Sequence, residues 1–130
     1  MDGDDVERWF GDYLEAYAAC GRGERYVASM LAFYGVPLLI TTGTGYFPLI
    51  GDEQVVAGIQ PQIDAMRAAS YDHTETLGLE VTMVNGTSAL VRGTFSWRRA
   101  DRGEIQRLTV TYLVTDGAAG RRISMLAVHG

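Results

Sequence analysis

A chain of 130 residues that is 47% hydrophobic and 21% charged has the size and balance of one folded domain, residues 1–130, with enough apolar matter for a core that needs no staples. Its net charge of −5 and pI near 4.9 argue against a nucleic-acid or anionic-membrane partner, which rewards a basic surface. All 11 basic residues are arginine, so Schiff-base chemistry on a lysine amine is excluded.

The first residues, Met1-Asp2-Gly3-Asp4-Asp5, lack the basic and apolar regions of a signal peptide, and Cys20 is the single cysteine, so a reducing, cytoplasmic compartment is expected. Val6, Phe10, Tyr13 and Tyr17 recur at helical spacing beside Trp9 and Ala16, predicting a first helix capped by Asp4 or Asp5 and stopped by Gly21 and Gly23. Glu24 to Tyr34 reads as a second helix, closed by Gly35 before Pro37. The apolar stretch from Val27 to Ile40 is too short, and too broken by Gly35 and Pro37, to span a membrane. Leu38 to Thr42 and Tyr46 to Ile50 read as short strands around Gly43-Thr44-Gly45. Asp52 then caps a third helix with Val55, Val56, Ile59, Ile63 and Met66 on its apolar side, and Pro61 is expected to kink or split it.

From Tyr71 onward the period changes from 3.6 to 2, the mark of a sheet. Leu77, Leu79, Val81 and Met83 alternate up to an Asn85-Gly86 turn, which reads as a hairpin in preference to a glycosylation site. Ala89, Val91, Gly93, Phe95 and Trp97 alternate back. Leu108, Val110, Tyr112 and Val114 share one face of the next strand, with Arg107, Thr109, Thr111 and Leu113 on the other; Ile123, Met125, Ala127 and His129 alternate along the last. Long strands joined by short turns make an antiparallel meander, and helices covering one face of it make an α+β fold.

This order of elements, from the Tyr13-Leu14-Glu15-Ala16-Tyr17 pattern to the Asp116-Gly117-x-x-Gly120 hairpin and the strand ending in His129, resembles the NTF2-like (cystatin-like) superfamily. The likeness is to its SnoaL-like and ketosteroid-isomerase-like branch, within an uncharacterised actinobacterial domain family. The resemblance implies a cone in which three N-terminal helices pack on a curved antiparallel sheet around an apolar cavity. It places Val91, Phe95, Trp97, Thr109, Thr111, Met125 and His129 on the concave face, to be joined by Tyr17, Tyr34 and Met66 as ligand-binding residues. It also implies a homodimer through the convex sheet face, read here as Leu90, Arg92, Thr94 and Ser96 beside Leu108, Val110, Tyr112 and Val114.

Tyr13 falls where the isomerase carries a hydrogen-bond-donating tyrosine, but the family's base falls on Thr42 and its second donor on Thr111. Threonine cannot shuttle a proton at neutral pH, so isomerisation through those positions is excluded. Tyr13 as donor and His129 as proton acceptor form the remaining candidate catalytic pair. His73 and Glu75 belong at the cavity rim unless a bulge at Gly78 reverses their parity. No metal-ligand spacing, dinucleotide fingerprint or other cofactor motif is present, and Arg98, Arg99 and Arg102 read as a solvated turn. Two functions fit: a binding module for a small hydrophobic molecule, or a cofactor-independent acid–base enzyme of the cyclase, isomerase or hydratase type.

Overall fold

The computed structural model describes all of residues 1–130. Helix α1 (Gly3–Gly21) begins where the Asp2 carboxylate accepts the amides of Asp4 and Asp5, at 2.8 and 3.3 Å, so the cap lies two residues before Asp4, the nearer of the two expected caps. It buries Val6, Phe10, Tyr13, Ala16 and Tyr17. Gly23 at φ +80° ends the turn that follows, a conformation that favours glycine.

The second helix is a 3-10 segment, Val27–Ala32, instead of an α-helix over Glu24–Tyr34. Tyr26 is extended, and Tyr34 is already drawn into strand β1 (Tyr34–Thr42) opposite Ile123, which leaves too few residues for an α-helix. Strand β2 (Gly45–Leu49) turns back on β1. Helix α2 (Asp52–Ala68) has Gly51 as its cap and runs through Pro61 without a break. Pro61 is solvent-exposed, while Ile59 and Ile63 on either side of it are 5% and 0% exposed; their burial holds both halves in place despite the lost donor.

Strands β3 (His73–Asn85), β4 (Ser88–Arg98), β5 (Glu104–Gly117) and β6 (Gly120–Val128) form the expected antiparallel meander. The six-stranded open sheet has the order β2-β1-β6-β5-β4-β3, in which a parallel β1–β6 pair joins the β1–β2 hairpin to the meander. At the β3–β4 hairpin, the Asn85 side chain accepts from the Thr87 amide and the Ser88 hydroxyl. The helices cover one face of this sheet in an NTF2-like, cystatin-like α+β arrangement, and no helix is long and apolar enough to cross a membrane.

Register decides which side chains meet the helices, and it corrects the expected faces. Val91 stands opposite Tyr112, Gly93 opposite Val110 and Phe95 opposite Leu108, so the apolar row of β5 points inward, while Thr109, Thr111 and Leu113 lie on the outer face. On β6 a bulge falls between Ile123 and Met125. It leaves Ile123, Leu126 and Val128 facing in and turns Met125, Ala127 and His129 outward. A second bulge, between Thr76 and Gly78, reverses parity on β3: Thr74 pairs with Trp97, whereas His73 and Glu75 take the alternate register beside Arg98 and Ser96.

Candidate functional site

Between α1, α2 and the inner sheet face lies a cavity of about 210 Å³, walled mostly by apolar side chains. Helix α1 contributes Tyr13, Leu14 and Tyr17, which share one side of the helix at 3.6-residue spacing. Tyr34 and Ile40 enter from β1, Phe95 and Trp97 from β4, Tyr112 from β5, and Gln62 from α2. Tyr13 sits at the centre of an aromatic cluster, with ring centroids 5.7 Å from Tyr34 and 5.8 Å from Tyr112, both edge-on.

The polar groups of the wall are nearly all hydroxyls. Tyr13 and Tyr34 share a 2.8 Å hydrogen bond. The Tyr112 hydroxyl approaches that of Tyr13 as a weaker partner, an interaction that lowers the Tyr13 pKa and raises its own. The Tyr17 hydroxyl donates to Oε1 of Gln62. Thr42 is engaged with Thr44, and Thr74 with Tyr71 at 2.7 Å. Burial pushes the hydroxyls of Tyr13, Tyr17, Tyr34 and Tyr112 well above the ordinary tyrosine pKa, so all four are neutral donors at physiological pH. No carboxylate, imidazole, thiol or guanidinium lines the cavity, and no group of three His, Cys, Asp or Glu side chains is placed to hold a metal ion.

Of the residues singled out from sequence, Tyr13, Tyr17, Tyr34, Phe95 and Trp97 come together in this wall. Val91 and Met66 are buried, at 0% and 1% exposure, but in the core beside the cavity, where Met66 packs near Gly21. Thr109, Thr111, Met125 and His129 are on the other side of the sheet. His129 is exposed, and its Nε2 bonds the Thr111 hydroxyl at 2.8 Å, so the Tyr13–His129 pair is divided by the sheet itself. Sequence reasoning missed Tyr112, although the apolar alternation of β5 pointed to it, and Gln62, for which a polar residue within a helix gave no signal. Arg99 is not merely solvated: its Nε donates to the Ala69 carbonyl at 3.0 Å.

The model for the family described as NTF2-like protein (DUF6841) matches residues 4–130. The chain belongs to this family. No curated protein matches the sequence. Among solved structures, an NTF2-like protein of unknown function from Shewanella oneidensis superposes with a TM-score of 0.73 over 100% of both chains at 16% identity. An NTF2-like protein with a cystatin-like fold from Novosphingobium aromaticivorans gives a TM-score of 0.71 at 14% identity, covering 97% of this chain and 79% of the other. The yeast UBP3-associated protein BRE5 gives 0.67 at 14% identity, over 95% and 94%. At such identities the likeness establishes the NTF2-like fold alone.

Proposed function

We propose that this NTF2-like domain binds a small, largely apolar carbonyl compound in its cavity and holds it by hydrogen bonding, without proton transfer by its own side chains. The hydroxyl inventory carries the reading. Tyr13, Tyr34 and Tyr112 each own one donor proton, and only the Tyr13–Tyr34 bond consumes one within the protein. Even if the looser Tyr112 approach serves as a second link, an open chain of three hydroxyls keeps one proton for an outside acceptor. With no cation in the wall, a carboxylate would be buried unpaired at a cost of several kcal/mol, so a neutral ketone, ester or lactone fits better. The acid–base alternative of cyclase, isomerase or hydratase type has no base within the cavity, since His129 bonds Thr111 on the far face.

The cavity's volume supports one or two fused rings, given that an apolar cavity of roughly 150 Å³ accommodates benzene. Trp97, 7% exposed and part of the wall, supplies the assay. Expected results are saturable quenching of its fluorescence by trans-1-decalone, displacement of the decalone by decalin only at higher concentration, and loss of that difference in affinity in Tyr112→Phe. Native mass spectrometry of freshly purified protein adds the natural ligand's mass. Equal affinity for decalone and decalin refutes the carbonyl reading.

The outer sheet face supports a homodimer. Leu90, Leu113, Met125 and Leu39 stand opposite one another across four strands, a partly exposed apolar row with nothing over it. A second copy of the chain is the proposed cover, and the buried free Cys20 fits a reducing, cytoplasmic setting.

A further inference from the structure

Gln62 stands outside the Tyr13–Tyr34–Tyr112 group, yet it supplies the only polar side chain that α2 contributes to the cavity wall. Its Oε1 is occupied by the Tyr17 hydroxyl, which fixes the amide and leaves Nε2, with two donor protons, without a protein acceptor. The two threonines of the wall are engaged elsewhere. Tyr13, Tyr34 and Tyr112 are buried, whereas Gln62 is exposed at the rim. Free donors therefore occur both among the buried tyrosines and at the exposed Gln62 amide. An amide already held by Tyr17 gives up little further freedom when a ligand arrives, which favours its use as a contact.

We propose that Gln62 is a ligand-contacting, specificity-determining residue: its Nε2 donates to a second acceptor oxygen on the ligand, so the cavity selects neutral ring compounds with one buried and one rim-facing acceptor, of which a cyclic dione is the simplest. The inference rests on the carbonyl reading of the tyrosine group.

The test titrates Trp97 fluorescence with trans-1-decalone and trans-decalin-1,5-dione, which share a ring system and differ in the second carbonyl. The wild-type protein should bind the dione roughly three- to tenfold more tightly, the worth of one hydrogen bond. Gln62→Leu should bring that ratio to about one while the monoketone still binds. Because Gln62→Leu strands the buried Tyr17 hydroxyl, Tyr17→Phe/Gln62→Leu is measured beside it; removing both partners leaves no orphan group, and the ratio should again be about one. A preference for the dione that survives in the double variant overturns the role of Gln62. So does the absence of any preference in wild-type protein that binds the monoketone and loses affinity on Tyr112→Phe; both outcomes leave the carbonyl reading standing. If neither ketone binds, the carbonyl reading falls and the role of Gln62 falls with it.

Discussion

Two conservative substitutions in the tyrosine group should part company in stability. Tyr34 is 2% exposed and its hydroxyl bonds that of Tyr13, itself 4% exposed, at 2.8 Å. Tyr34→Phe leaves the Tyr13 hydroxyl buried without its partner, a loss of about 1–3 kcal/mol. Tyr112 is 6% exposed and lines the cavity, and its hydroxyl makes only a weaker approach to that of Tyr13, so Tyr112→Phe should cost the fold little. Its effect should lie within about 0.5 kcal/mol of zero, on either side. At this chain length 1 kcal/mol corresponds to roughly 4 °C in Tm, so calorimetry at neutral pH should find Tyr34→Phe lowered by several degrees and Tyr112→Phe nearly unchanged. Urea midpoints at constant m-value provide the independent check. If Tyr112→Phe is destabilised as much as Tyr34→Phe, its hydroxyl is a structural group and the donor count behind the proposed function is wrong.

The raised pKa values of Tyr13, Tyr17, Tyr34 and Tyr112 make a pH prediction: stability that is complete below about pH 10, the unfolded value, and lost as pH climbs from there toward the folded values. Urea midpoints that stay flat between about pH 9 and 11 would contradict it. At the other end, the hydrogen bond from Arg121 holds Asp116 below the usual carboxylate pKa, so that pair should stabilise the β5–β6 hairpin above about pH 4 and cease to do so on acidification; NMR titration of the Asp116 carboxyl measures it. A Cβ on Gly93 would lie 2.2 Å from Cζ of Phe95, so Gly93→Ala must displace that ring at a cost of about 1–3 kcal/mol and alter Trp97 quenching. Met125→Arg or Leu113→Arg, each placing a charge in the outer apolar row, should turn a dimer into a folded monomer by light scattering; a wild-type monomer removes the dimer proposal.

The helices and turns were legible because their signals are local. Val6, Phe10, Tyr13 and Tyr17 fall on one helical face whatever the rest of the chain does, and Asn85-Gly86 makes a hairpin from its own chemistry. Where tertiary forces compete, the local reading gave way: Pro61 is tolerated because Ile59 and Ile63 are anchored, and Glu24–Tyr34 is no α-helix because Tyr34 is needed by the sheet. Strand faces are less secure still, since the side-chain period is 2 and a single extra residue inverts everything beyond it. The bulge between Ile123 and Met125 did so on β6, and nothing in the residues around Ser124 announces it.

On β5 the error had another origin, and it bears on function. The alternation Leu108, Val110, Tyr112, Val114 against Arg107, Thr109, Thr111 already favours the apolar row as the inner one, by the same burial argument that places α1. The resemblance to an isomerase points the other way, because it puts Thr111 at the position of a family donor. The register returns Tyr112 to the interior, opposite Val91, and sends Thr111 outside to His129. This one inversion replaces a site of tyrosine, threonine and histidine, which contains a general base, by a site of clustered neutral tyrosines, which contains none. The proposal of a binding pocket in place of an acid–base enzyme thus turns on which face of β5 meets the helices, and the Tyr112→Phe melt and titration examine that same residue from its structural and its proposed ligand-binding sides.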